Sequence, residues 1–359
     1  MQEVRAAVIG TGVMGRKYAQ MIAEGKAGAL RLTAVVCRSA GAQQWAKDTL
    51  PDTVRVCPSA EALYAHAEEF DAVLVVTPHK THPALVMQAF AHGKHVLCDK
   101  PSANALAPAL EMNRAAEKSG LVFAMMFHQR RYKKYMRLKK LLDDGVLGEV
   151  KRVQLENSRY FRTWMYHRSG SWRSSWAGEG GGALLNQGQH ILDIWQWLFG
   201  MPESIYAVIP YGKYNDFMVD DEATLLMEYP QQRTATFILS TGEGSYTERL
   251  EIVGTKGTAL LEDLGNLAAN ELYRPDGSCL PPKQTAEKML AGIEAIAAQC
   301  NHLIIVSNEV FSGGADYAGE TDLYLQALAM VNNAVAAKAD AVCRVVCGLP
   351  VYYKGGERP

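Results

Sequence analysis

Net charge is almost absent from this 359-residue sequence. Its 37 Lys and Arg against 38 Asp and Glu leave −1 at pH 7, so no global field favours nucleic acid or an anionic membrane as a partner. No apolar run approaches the ~18 residues of a membrane-spanning helix. The opening segment MQEVRAAVIG reads as a strand, not as the basic and apolar regions of a signal peptide. Cysteine is scarce and odd in number, seven residues with no C-x-x-C pair, which excludes a disulfide scaffold or zinc knuckle and fits a reducing, cytoplasmic location. No grouping of His, Asp and Glu has metal-ligand spacing, so no metal is expected. Internal repeats and low-complexity segments are missing too. What is present is an ordinary globular balance, 48% hydrophobic and 21% charged. At ~150 residues per domain the length suggests two domains and room for a small third.

The first 127 residues alternate between two textures. Short apolar runs at 4–9, 32–37, 72–76, 95–98 and 121–127 suit parallel strands buried on both faces. Helical stretches at 14–23, 42–49, 81–91 and 103–118 separate them, which predicts an α/β, doubly wound parallel sheet of Rossmann type. From Gly148 strands predominate, at 151–160, 204–211, 222–229, 233–240, 249–253 and 258–262. They predict an α+β domain with a mostly antiparallel open sheet, one face of it packed on helices. Beyond residue 280, a helix at 285–299, a strand at 303–307, a helix at 320–338 and a strand at 341–346 read as a small βαβ-like tail. The expected division is thus 1–127 for dinucleotide binding, 128–280 for substrate and oligomerisation, and 281–359 for the tail.

Gly10, Gly12 and Gly15 stand in G-x-G-x-x-G spacing, after an apolar strand and at the head of a helix. In that context the first glycine makes the tight turn, the second lets backbone approach a pyrophosphate, and the third lets helix and strand pack. The helix N-terminus then offers N–H groups to the anion. An NAD site usually has an acidic residue about 20 residues further on, gripping the ribose 2′-hydroxyl. Cys37, Arg38 and Ser39 occupy that zone instead. A guanidinium there can pair with a 2′-phosphate, so the cofactor is NAD or NADP with NADP favoured, although arginine is also common on a surface after a strand.

Asp99, Lys100 and Pro101 end another buried strand, and ligands of open α/β sheets lie outside such ends. A lysine there can face the cofactor crevice, where desolvation and a neighbouring cation would favour its neutral, proton-accepting form. The residues alone equally allow an Asp99–Lys100 loop ion pair. Gly180–Gly182 precede Asn186 and His190 directly. Glycines let the backbone pass close to a ligand. In a helix beginning near Asn186, that residue, His190, Asp193 and Trp197 share one face, while Ile191, Ile194, Trp195 and Leu198 share a core-facing one. Between Tyr160 and Trp176 aromatics and arginines alternate. The composition suits a sugar, whose apolar face rings cover and whose hydroxyls accept from guanidinium, and suits a subunit interface equally. Trp172 and Arg173, nearest the glycines, are the expected substrate contacts with Tyr160. His79, His128 and His167 read as structural or rim residues.

Taken together, Gly10-Thr11-Gly12-Val13-Met14-Gly15, Thr77-Pro78 with His82, Gly93-Lys94-His95-Val96 with Asp99-Lys100-Pro101, and Gly181-Gly182 with Asn186 and His190 resemble the Gfo/Idh/MocA oxidoreductases over about residues 4–265. The resemblance implies a Rossmann domain and an α/β substrate domain in a homo-oligomer, a dimer or larger. It implies hydride transfer between a nicotinamide and a secondary hydroxyl of a sugar, glycoside or cyclitol. It places the glycine-turn residues, Thr77, Pro78, His82, Asp99 and Lys100 at the cofactor, beside Arg38 and Ser39. It makes Lys100, His190 and Asn186 catalytic, and both His190 and Asn186 substrate-binding. The family's usual aspartate is Asn186 in this chain, and an amide can only exchange hydrogen bonds. Proton transfer then rests on Lys100 and His190, with Asn186 orienting the hydroxyl. The same asparagine marks a branch resembling dehydrogenases that oxidise the 3-hydroxyl of glucosides. Two alternatives keep the fold, a redox-neutral glycosidase using bound NAD and a non-catalytic cofactor-binding subunit.

The tail resembles a different family. Val306-Ser307-Asn308-Glu309-Val310, Val331-Asn332, Ala339-Asp340 and Gly348-Leu349-Pro350 are similar to the carboxyl-terminal part of adenosylcobinamide kinase/guanylyltransferases. That family binds nucleotide through a G-x-x-x-x-G-K-[ST] loop, which occurs nowhere in this chain, so no kinase activity is expected.

Overall fold

In a computed structural model of the protein, the described residues are 3–168, 172–244, 247–262, 264–274, 278–299, 303, 305, 307, 319–346 and 349–355. They form two compact units. The first comprises residues 1–128, 164–190 and 217–219, and the second residues 129–163, 191–216 and 220–359.

The first unit is built on six parallel strands, β1 (Val4–Ile9), β2 (Leu30–Val36), β3 (Arg55–Cys57), β4 (Ala72–Val75), β5 (His95–Cys98) and β6 (Phe123–Met125). Their order is β3-β2-β1-β4-β5-β6. Helices α1 (Val13–Ala23), α2 (Ala40–Thr49), α3 (Ala60–Tyr64), α4 (His82–Ala91) and α5 (Leu106–Ser119) connect them. Alternate residues of one strand feed opposite cores, because successive side chains point to opposite faces. Ala6 and Val8 pack with Ala19 and Ile22 of α1 and Ala42 and Ala46 of α2. Ala7 and Ile9 pack with Leu63, Val86, Ala89 and Met112. Both faces are therefore covered, which is why the strands read as unbroken apolar runs. The expected doubly wound sheet is present. The strand β3 and the helix α3 add to it, each too short to leave a periodic signal.

The second unit carries α6 (Lys133–Asp143), β7 (Val150–Asn157), β8 (Ser204–Val208), β9 (Glu222–Tyr229), β10 (Arg233–Ser240), β11 (Glu248–Gly254) and β12 (Thr258–Glu262). The sheet order is β12-β11-β7-β10-β9-β8, antiparallel except for the central β7–β10 pair, which is parallel. One face is apolar and buried, including Ala223, Leu225 and Met227 of β9 and Ala235, Phe237 and Leu239 of β10. Trp195 packs edge-on against Phe237 at 5.6 Å and donates its indole N–H to Tyr229 Oη at 2.7 Å. Ile191, Ile194 and Leu198 are buried as the helical periodicity requires.

Three helices, α10 (Leu264–Leu272), α11 (Pro282–Ala297) and α12 (Glu320–Lys338), follow that sheet. They close around Ala268, Ala286, Met289, Leu328 and Val331. After them β13 (Val342–Val346) pairs antiparallel with β14 (Leu349–Lys354), a hairpin where the sequence suggests one terminal strand. Residues 304 and 306 of the strand expected at 303–307, and Val306, Asn308, Glu309, Val310 and Gly348 of the second resemblance, lie outside the described residues.

Helix α1 passes close to the turn that ends β1. A Cβ on Gly15 would stand 1.8 Å from the Gly10 carbonyl oxygen, whereas one on Gly12 would meet nothing within 4 Å. Gly15→Ala therefore forces α1 off the strand, an overpacking cost of about 1–3 kcal/mol, or several degrees of Tm. Gly12→Ala is expected to stay within about 0.5 kcal/mol of wild type. Thermal unfolding of the two variants checks this, and equal losses would contradict it.

Candidate active site

The glycine turn sits at the carboxyl end of β1, where neighbouring connections leave towards β2 on one side and β4 on the other, the switch point at which such sheets bind ligands. Gly10 has φ +103°, a value open to glycine. Gly12 caps α1 with no side-chain hydrogen bond, so the first N–H groups of that helix have no side-chain acceptor and fit a pyrophosphate. Val13 and Met14 of the same turn are exposed. Thr11 Oγ1 donates to Val36 O at 3.4 Å, tying the turn to the end of β2.

Ser39 Oγ accepts from the Ala42 N–H at 3.2 Å and so caps α2, while Arg38 beside it is exposed. A second cation, which sequence reasoning missed, stands in this region. Arg16, directly after the third glycine, donates Nε to Thr11 O at 3.1 Å and lies 4.8 Å from the Trp45 ring centre. Its guanidinium also acts on Cys37.

Two loops beyond the switch point are joined by His82. Its Nε2 lies 2.7 Å from Thr77 O and its Nδ1 2.8 Å from Pro101 O, and the ring is fully buried. His82 thus braces Thr77-Pro78 against the loop of Asp99, Lys100 and Pro101. Asp99 Oδ1 accepts from the backbone N–H of Lys100 at 2.9 Å. Burial pushes the Asp99 carboxyl above its usual range, against the opposing effect of that N–H and of the lysine charge. The Lys100 ammonium itself reaches Asn186, donating to its main-chain oxygen at 2.9 Å and to Oδ1 at 3.0 Å.

Asn186 ends a one-turn helix, α8 (Ala183–Asn186), which follows α7 (Trp164–Arg168) and precedes α9 (Gly188–Phe199). The single helix expected from residue 186 is interrupted at Gln187. The glycines make the approach possible. Gly180 has φ +88°, and a Cβ there would stand 2.5 Å from Asn104 Cβ, four residues after Lys100. Only a residue without a side chain lets this segment lie against the Lys100 loop. Glu179, which sequence reasoning also missed, lies just before it. It is 3% exposed and accepts from Asn186 Nδ2 and, at 2.7 Å, from the Ser174 N–H.

Trp172 and Arg173 belong to the same group. The Arg173 guanidinium lies 4.8 Å from the Trp172 ring centre and donates to Tyr166 Oη at 2.7 Å, and Tyr166 also takes a 3.4 Å contact from Asn186 Nδ2. His79 is buried, edge-on to Trp172, with Nδ1 3.3 Å from Glu179 O. His167 contacts Ser174 Oγ.

His190 lies at the start of α9, its ring 4.9 Å from that of His128 and 6.3 Å from that of Phe127. Burial, then the Lys100 and His128 charges, lower its pKa to about 3. His79 is lowered to about 3 for the same first reason, with Lys100 next. Both rings are therefore neutral at pH 7, and His190 Nδ1 is buried with no hydrogen-bond partner among the described residues. The expected polar stripe divides beyond this point. Asp193 and Trp197 both engage Arg130 of the second unit, by a bidentate pair at 2.6 and 2.8 Å and by a ring contact at 5.7 Å. Tyr160 also belongs to the second unit, flanked by the guanidiniums of Arg159 and Arg162. The first unit thus holds a helix N-terminus without a side-chain cap, a lysine anchored on Asn186 and a neutral histidine.

Comparison with known proteins is consistent with this arrangement. Residues 4–127 match the oxidoreductase family with an NAD-binding Rossmann fold, and residues 135–260 match the Gfo/Idh/MocA carboxyl-terminal domain. Residues 219–353 also match cobinamide kinase/cobinamide phosphate guanyltransferase. The overlap, residues 219–260, takes in β9, β10, β11 and the first three residues of β12, strands of the sheet that includes β7. An uncharacterised oxidoreductase of Schizosaccharomyces pombe is 28% identical over 64% of this chain, which spans only 61% of that protein. Bovine trans-1,2-dihydrobenzene-1,2-diol dehydrogenase is 28% identical over 72% of this chain and 74% of its own. Scyllo-inositol 2-dehydrogenase (NADP+) of Bacillus subtilis is 30% identical over 45% and 46%. The WlbA dehydrogenase of Bordetella pertussis, solved with NADH and UDP-GlcNAcA, shares the fold with a TM-score of 0.67 at 23% identity over 73% of this chain and 80% of its own. Aldose-aldose oxidoreductase of Caulobacter crescentus gives 0.62 at 25% identity over 72% and 76%. With two profiles of one family matching well over half of its residues in the order that the fold requires, the chain belongs to the Gfo/Idh/MocA oxidoreductases.

Proposed function

We propose that the protein transfers hydride between NAD(P) and a secondary hydroxyl of a sugar, glycoside or cyclitol. The observation that carries this reading is the Lys100 ammonium held on Asn186 at the carboxyl end of β5, in the unit whose glycine turn leaves a helix N-terminus uncapped. The relatives support the substrate class, because their names include a diol dehydrogenase, an inositol dehydrogenase and an aldose oxidoreductase.

Oxidation of a secondary alcohol removes a hydride from carbon and a proton from oxygen. The nicotinamide, when bound, supplies the hydride acceptor. The N–H groups at the head of α1 would hold its pyrophosphate, and Arg38 would take a 2′-phosphate where one is present. Lys100, as the neutral amine, would hold the reacting oxygen and take its proton, becoming the ammonium that Asn186 fixes and giving the proton back in the reverse direction, and His190, neutral, offers a hydrogen bond without competing for charge. Trp172 covers an apolar sugar face and Arg173 donates to hydroxyls. The reading extends to a homo-oligomer acting in the cytoplasm, and to the 3-hydroxyl of a glucoside as the finest choice of substrate. Product regiochemistry tests that last choice.

Three outcomes follow. Lys100→Met is expected to lower kcat about 10²–10⁴-fold with cofactor binding little changed, and wild-type turnover in this variant would overturn the reading. His190→Asn is expected to lower kcat while leaving the acid limb of the pH–rate profile in place. A base of pKa about 3 is already unprotonated from pH 4 upwards, so the loss of activity as pH falls towards 5 arises elsewhere. Disappearance of that limb in the variant would contradict the assignment. Arg38→Ala is expected to weaken NADP binding about ten- to a hundredfold, the value of a charge-assisted contact, and NAD binding far less. Fluorescence titration of both cofactors decides it, and equal losses would move the ribose contact away from Arg38.

A further inference from the structure

Glu179 is a buried carboxylate that forms no ion pair among the described residues. Its two oxygens accept from two different donors, the Asn186 side-chain amide and the Ser174 backbone N–H. Neither partner can accept a proton from it in return, so the arrangement suits the ionised carboxylate. This also settles which way the Asn186 amide points. With Nδ2 turned to Glu179, Oδ1 faces the Lys100 ammonium at 3.0 Å. The polarity runs in one direction, from ammonium to amide oxygen and from amide N–H to carboxylate.

The groups that face Glu179 are consistent with that direction. Burial holds the Glu179 carboxyl above its usual range, and the Ser174 N–H, Arg173, the Asn186 amide and Lys100 each work against burial by favouring the charged form. The Arg173 guanidinium is occupied by Tyr166 and Trp172. His79, at the Glu179 main-chain oxygen, is neutral at pH 7.

We propose that Glu179 is the counter-charge of Lys100, acting through the Asn186 amide as a positioning residue for the proton-transferring lysine. The proposal rests on the reading of Lys100 given above. It explains why an amide and not a carboxylate stands at 186. An aspartate there would oppose Glu179 at hydrogen-bond distance, and two carboxylates sharing one site cannot both ionise readily. The negative charge sits one hydrogen bond further from the lysine, with the amide as spacer.

The arrangement predicts a reciprocal exchange. In Glu179→Gln the side-chain oxygen still serves the Ser174 N–H, but its amide N–H groups meet those of Asn186. The Asn186 amide then flips and turns Nδ2 towards the ammonium. In Asn186→Asp the new carboxylate meets Glu179. In Asn186→Asp with Glu179→Gln every bond is restored, since the new amide at position 179 donates to the aspartate and the aspartate accepts from Lys100.

Four proteins, wild type, the two single variants and the double variant, are compared as cofactor complexes. Two readouts are taken, the pH profile of kcat/KM and the pH dependence of Lys100 acetylation, followed on its peptide by mass spectrometry. Each single variant is expected to lose about ten- to a hundredfold in kcat, and the double variant to recover most of it. The Lys100 titration should move to lower pH in Glu179→Gln and return in the double variant, a shift that a merely structural role would not produce. The acetylation arm needs no turnover. If the substrate reading fails and no sugar is oxidised, it still decides whether Glu179 governs Lys100. A folded Glu179→Gln variant with wild-type titration of Lys100, wild-type activity in Asn186→Asp, or a double variant no better than the worse single variant would each overturn the proposal.

Discussion

The contact between Lys100 and Asn186 joins residues 86 apart in sequence, and much of the first unit is arranged to allow it. The lysine is fixed because β5 ends there, pinned between β4 and β6. The asparagine arrives because a glycine segment can lie against the backbone that follows Pro101. A side chain at Gly180 would push the segment away from Asn104, and the ammonium would lose both acceptors together. His82 performs the same service on the other side, holding the Pro101 carbonyl and the Thr77 carbonyl on one ring. The site is therefore set by backbone proximity first and by side-chain chemistry second.

Burial keeps the neighbouring histidine rings neutral, and the ammonium adds to the effect. His190 and His79 are both buried near it, and a positive charge in low-dielectric surroundings opposes protonation of either ring. A buried imidazolium beside an ammonium would cost more than the hydrogen bonds it could make. Neutral rings have no such penalty, so histidine can stand close to a lysine here without either losing its function. Glu179, one hydrogen bond away through the Asn186 amide, adds a second acidic group to the Asp99 carboxyl beside the same ammonium.

The sequence made a definite part of this legible. Each expected strand of the first sheet is present because parallel strands covered on both faces leave unbroken apolar runs, and the glycine turn is readable because its spacing follows from a backbone requirement. Lys100 was identifiable from its place at a strand end. Glu179 was not, because a single acidic residue in a loop leaves no periodic trace, and its meaning depends on Asn186 lying against it. Arg16 escaped for a similar reason, being one cation in an amphipathic helix until Trp45 is found beneath it. The parallel pairing of β7 with β10 joins strands about 80 residues apart, and no local pattern encodes such a partner. The break at Gln187 was likewise invisible, since residues 183–199 keep helical spacing through it.

The double match of residues 219–260 is resolved by pairing and burial. Phe237 in β10 packs against Trp195, and Leu250 of β11 lies opposite Leu155 of β7. These contacts reach back to segments that only the oxidoreductase profile covers. A strand is specified by the face it buries, because a slip of one residue would turn every apolar side chain outward. The four strands are thus committed to the oxidoreductase sheet. The second resemblance can be independent only beyond residue 262, where α10, α11 and α12 close around a core of their own. That core takes in Ala268 together with Ala286, Met289, Leu328 and Val331, all of them inside the stretch 219–353 that the second family's profile covers.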